Sequence, residues 1–145
     1  MILNLYTIGF TKKTAEQFFT LLQNAQVGML LDVRLNNASQ LAGFTKRDDL
    51  QYFLNEICHT GYRHLPQCAP TKEILRAYQN GGSWETYVTN FRPLISERKI
   101  ETLLTPNLLD HGCLLCSEPT PEHCHRRLVA EYLKEHFPEI KITHL

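Results

Sequence analysis

Apolar positions along the chain fall into short unbroken runs, separated by longer stretches in which they recur at helical spacing. Residues 3–8 form one such run and stop at Gly9, which predicts a buried strand. Thr14 followed three positions later by Gln17 makes a capping box, and Phe18, Leu21, Leu22 and Ala25 continue it as one helical face. Gly28 precedes a second run, Met29-Leu30-Leu31-Asp32-Val33-Arg34, whose far end carries charge. Thr45 and Asp48 are placed to cap a helix bearing Leu50, Phe53, Leu54, Ile57 and Cys58, with Gly61 placed to close it. Residues 62–66 read as a third strand, residues 71–104 as mostly helical and residues 113–116 as a fourth strand. Thr120 caps a helix running to Phe137, with Pro121 at its first position and Glu122 in its first turn, and residues 140–145 make the last strand.

Strands alternating with helices predict an α/β protein. The expected architecture is a three-layer Rossmann-like fold, a mostly parallel sheet of about five strands with helices on both faces. A length of 145 residues without repeats, low-complexity tracts or linkers predicts a single domain over residues 1–145. Parallel strands bring their carboxyl ends to one edge, where ligands of such folds sit. Thr7, Asp32, Arg34, Cys116 and Glu118 all lie at or just past those ends.

Charge narrows the partners. Fifteen basic residues balance fifteen acidic ones, so the broad positive field of a non-specific nucleic-acid binder is missing. Lys46, Arg47, Arg63 and Arg126 are the groups such a partner would meet. No apolar run approaches the roughly 18 residues that span a bilayer. The start, Met1-Ile2-Leu3-Asn4-Leu5, lacks the basic region and cleavage site of a signal peptide. Five cysteines, an odd count in a chain large enough to fold without staples, predict reduced thiols and a cytoplasmic setting.

The densest chemistry lies from Leu114 to Arg127, where two cysteines, two glutamates, two histidines and two arginines fall between the core of a strand and that of a helix. Cys113 and Cys116 resemble half of a zinc knuckle, but strand residues three apart point to opposite faces, which argues against a closed zinc site. Metal binding or redox sensing would then fall to Cys116, Cys124 and His125. At a helix amino end beside Arg126, Cys124 would favour the thiolate; otherwise it is a small residue at a tight helix–sheet contact. Helical spacing turns His125 towards the sheet with Leu128, Val129, Tyr132 and Leu133, either for catalysis or as a core imidazole bonded to a carbonyl. Asp32 and Arg34 share a strand face, as an ion pair or as the wall of a polar cleft. Arg34 and Arg126 together suit a phosphate or carboxylate, and Glu118 suits general acid–base work. Trp84 and Tyr87 could stack on a ligand, although aromatic residues at helical spacing more often belong to the core. A Gly-rich nucleotide loop is missing, and two prolines and two glutamates between Cys116 and Arg126 exclude the small-residue anion loop of cysteine phosphatases.

Three motifs in order, T-I-G-F from Thr7, D-V-R from Asp32 and C-x-E-x-x-P-x-x-C-H-R from Cys116 to Arg126, resemble the family described as domain of unknown function 488. That family usually carries T-I-G-H-S at the first motif, where this chain has Phe10 and Thr11. The Leu-Gly-Gly that tends to follow its third strand is replaced here by Gln67-Cys68-Ala69-Pro70. The resemblance implies a compact α/β domain and no particular reaction.

These readings converge on an enzyme for a small anionic or nucleotide-like substrate. Glu118, Cys124 and His125 would be catalytic, and Thr7, Asp32, Arg34, Cys116 and Arg126 would hold the substrate in one concave site. The alternatives are the metal or redox module and, less favoured by net charge, a nucleic-acid-associated domain. The sequence specifies no cofactor, and nothing in it calls for a membrane partner.

Overall fold

Five strands form in the computed structural model, which describes residues 1–38 and 43–145. They are β1 (Leu3–Gly9), β2 (Met29–Asp32), β3 (Gly61–His64), β4 (Gly112–Cys116) and β5 (Ile140–His144). Every pairing is parallel, in the order β3-β2-β4-β1-β5. The helices are α1 (Ala15–Asn24), α2 (Arg47–Phe53), α3 (Lys72–Gln79), α4 (Trp84–Glu97), α5 (Pro106–Leu109) and α6 (His125–His136). The expected three-layer α/β arrangement is therefore present.

Strand alternation divides the core in two. Ile8, Leu30, Cys113 and Leu115 pack with Phe18, Phe19 and Leu22 of α1 and Leu50 of α2. Leu5, Leu31, Leu114 and Cys116 pack on the other face with Phe91 and Ile95 of α4 and Leu128 and Val129 of α6. Cys113 and Cys116 thus face opposite sides of β4, as a period of two requires. No helix among the described residues is long and apolar enough to cross a membrane.

The Thr14–Gln17 capping box forms, each side chain bonding the other residue's backbone N–H. Two other boundaries differ from the sequence pattern. Lys46, with no side-chain cap, precedes α2 in place of Thr45 or Asp48, and α2 runs on into a π-helical turn over Leu54–Cys58. His59, at φ 52°, closes that turn in the left-handed region, so Gly61 is released to start β3. α6 likewise starts at His125 and not just after Thr120, with Cys124 as its amino cap. Pro119 and Pro121 offer no backbone N–H. The Cys124 amide closes a turn onto the Pro121 carbonyl at 3.2 Å, and Cys124 is itself extended (φ −132°, ψ 137°). Helix can begin only after that.

One glycine is fixed by contact. A Cβ on Gly9 would lie 1.6 Å from the Glu118 carbonyl oxygen, so the end of β1 and the loop leaving β4 touch backbone to backbone. The Thr11 amide donates to the Ser117 carbonyl at 3.0 Å in the same seam.

Candidate functional site

The carboxyl ends of β1, β2 and β4 open onto a cavity of about 590 Å³. The buried Cys116, Cys124 and His125 form its floor; Phe10, Arg34 and Asn36, just past β1 and β2, also line it, as do Tyr78 of α3 and Trp84 and Tyr87 of α4. Glu118 and His123 also line it, and both are exposed.

The floor is tightly built. His125 Nε2 lies 2.6 Å from the Val33 carbonyl oxygen. A carbonyl only accepts, so Nε2 donates its hydrogen there and Nδ1 is turned towards another partner. That partner is Cys116, whose Sγ is 3.5 Å from Nδ1. Phe91 packs edge-on against the imidazole at 5.6 Å. Cys124 supplies the third group, and one ligand atom from each of Cys116, Cys124 and His125 falls within 4.8 Å of the others.

The two thiols are made different. The Cys116 thiol is held below its ordinary value by a hydrogen bond from Cys124, against the cost of burial, with help from the Ser117 backbone and the Arg126 charge. Cys124 is driven well above its ordinary value, first by burial and then by Cys116. Ionisation is therefore favoured at Cys116 over Cys124, whereas the sequence pattern favoured Cys124.

Arg34 is anchored and still lines the cavity. Its Nε and Nη2 donate to the two Asp32 carboxylate oxygens at 2.9 and 2.8 Å, and Nη2 also donates to the Thr45 carbonyl at 2.7 Å. The guanidinium lies over the Phe10 ring, 5.5 Å from its centroid. Asp32 is fully buried, accepts further bonds from Tyr62 and the Arg34 amide, and does not line the cavity.

Thr7 and Arg126 are the principal departures from the expected cluster, since neither lines the cavity. Arg126 is fully buried; its Nε donates to Thr7 Oγ1 at 3.2 Å and its Nη1 to the Glu118 carbonyl at 2.8 Å. Thr7 is bonded in turn to His144. Arg126 thus braces the loop beneath the site and cannot face Arg34 across a ligand. Full burial also removes it from any nucleic-acid surface. Lys46 and Arg47 flank the start of α2, and Arg63 lies on β3.

The aromatic wall is the part that sequence reasoning left in the core. Trp84 and Tyr87 stack at 4.9 Å, Tyr78 meets both edge-on, and His123 lies 5.2 Å from Trp84. Tyr87 is buried, but Trp84 and Tyr78 are only partly so. No pattern in the sequence separates these two roles. The Val33 carbonyl, as a backbone group, carried no signal at all.

A parallel α/β sheet with a thiol–imidazole floor under a strand-end cavity defines an α/β protein with a candidate small-molecule site. The chain belongs to the family described as domain of unknown function DUF488, which matches residues 14–133. No match was found among curated proteins or solved structures.

Proposed function

We propose that this protein is an enzyme acting on a small anionic, nucleotide-like substrate in the strand-end cavity, as one cytoplasmic domain. Cys116, Cys124 and His125 are its reactive centre, Arg34 receives the anionic group, and Glu118 at the rim exchanges protons. Tyr78 and Trp84 pack against the flat part of the substrate. The observation that carries this reading is the convergence of two sulfurs and an imidazole within 4.8 Å on the floor of the cavity. Core packing alone would place apolar groups there, because a buried polar group costs free energy unless paired.

Trp84 is the only tryptophan and lines the cavity, so its fluorescence reports occupancy. Titration with inorganic phosphate, small carboxylates and mononucleotides should change that fluorescence for at least one class of anion. Product analysis of the same mixtures should find turnover that Cys116→Ser and His125→Gln abolish while binding persists. Silence across the panel, or turnover indifferent to both substitutions, would remove the enzyme reading.

A further inference from the structure

The floor of the cavity also matches a coordination polyhedron. In a tetrahedral site with Zn–S near 2.3 Å and Zn–N near 2.0–2.1 Å, the sulfur–nitrogen edge is roughly 3.5 Å and the sulfur–sulfur edge roughly 3.8 Å. Cys116 Sγ and His125 Nδ1 stand 3.5 Å apart, and one ligand atom from each of Cys116, Cys124 and His125 lies within 4.8 Å of the others.

The outer bond is in place as well. Metal-bound histidines donate their second ring N–H to a carbonyl or carboxylate, which fixes the ring and presents the other nitrogen to the ion. His125 does this through Nε2 and the Val33 carbonyl at 2.6 Å, leaving Nδ1 towards the sulfurs. Among the described residues, no other group of three histidine, cysteine, aspartate or glutamate side chains converges in this way. Cys113 takes no part, since it lies on the other face of β4.

We infer that Cys116, Cys124 and His125 bind one zinc ion as an open three-ligand site, with the fourth position taken from the cavity by water or by the substrate. Two thiolates and an imidazole select a borderline-soft ion over magnesium or calcium. All three ligands line the cavity, and three protein ligands with one open position distinguish catalytic from structural zinc sites. Zinc binding stands on this geometry alone. A catalytic use of the ion rests on the proposed enzyme function, where it would supply a polarising centre or a bound water of lowered pKa.

The test uses the whole chain, purified under reducing conditions without chelators. Elemental analysis should give about one zinc per chain. After the zinc is exchanged for cobalt(II), absorption should show a thiolate-to-cobalt charge-transfer band and the intense visible bands of a tetrahedral site. Cys116→Ser, Cys124→Ser and His125→Gln should each weaken zinc by more than the roughly 10–100-fold typical of losing an outer partner of a ligand. Cys58→Ser, away from the site, should leave it unchanged. Should the site variants fail to fold, the cobalt spectrum of the wild type decides alone. Less than about 0.1 metal per chain after zinc reconstitution would overturn the assignment, as would a cobalt spectrum without the thiolate band. Trp84 titration of the protein with and without zinc separates the two ideas: ligand binding by protein that takes up no metal refutes the zinc site and spares the enzyme, and metal uptake with no ligand response in the zinc-loaded protein does the reverse.

Discussion

Asp32 and Arg34 show how a buried charge pair prepares a site without entering the chemistry. Asp32 is completely buried and Arg34 almost so, and their two-pronged contact leaves one guanidinium nitrogen, Nη1, without a hydrogen bond among the described residues. Tyr62 donates to the same carboxylate, which drives its own ionisation upward, first through burial and then through the Asp32 bond. Breaking such a pair by removing one partner is costly, because the remaining charge stays buried. Asp32→Ala should therefore destabilise the fold by about 3–5 kcal/mol in chemical denaturation, whereas a surface pair such as Arg47–Asp48 should be worth less than about 1 kcal/mol. A loss under about 1 kcal/mol for Asp32→Ala would mean that water reaches Arg34 freely. The sequence made this pair legible, because strand alternation put both residues on one face. It could not show that Arg126 turns away from them, since the direction of a long side chain depends on which loop lies above it.

At the scale of elements, the strands and helices were legible wherever hydrophobic spacing alone decides them, and their ends were not. The start of α6 shows why. Thr120-Pro121-Glu122 satisfies every local preference for a helix start, yet the chain uses those residues for a turn and begins the helix at His125. Tertiary contacts hold the segment ahead of that turn in place. The Glu118 carbonyl meets both the bare Cα of Gly9 and the Arg126 guanidinium. Gly9→Ala places a methyl group into that seam and should cost at least about 3 kcal/mol, above the usual range for overpacking, because backbone and not a flexible side chain must move. Thermal or chemical denaturation checks this. A near-neutral Gly9→Ala would show that the loop after β4 is not pinned to β1, and the position of Cys116 would then lose its support.

Across the whole molecule, the parallel sheet carries Cys116, Arg34 and the Phe10 loop to one edge, while α3 and α4 bring the aromatic wall and α6 brings Cys124 and His125. The sequence announced the edge and, among the polar residues lining the cavity, Arg34, Cys116, Glu118, Cys124 and His125. The division of labour between the two thiols needed the fold, because it arises from one sulfur donating to the other inside a buried cluster. Alkylation tests that division most directly, since the thiolate is the reacting species. Chelator-treated native protein would be exposed to iodoacetate and to neutral iodoacetamide near neutral pH, with each cysteine followed by peptide mass spectrometry. Cys116 should be modified first of the five, ahead of the partly exposed Cys58, whose thiol burial pushes up, and of the fully buried Cys113. Relative to a free thiol in solution, the ratio of iodoacetate to iodoacetamide rates at Cys116 should be raised by about tenfold through the Arg34 charge, and added zinc should suppress both reactions. Modification of Cys58 or Cys113 ahead of Cys116, or an iodoacetate preference no greater than that of the free thiol, would contradict a reactive centre open to small anions.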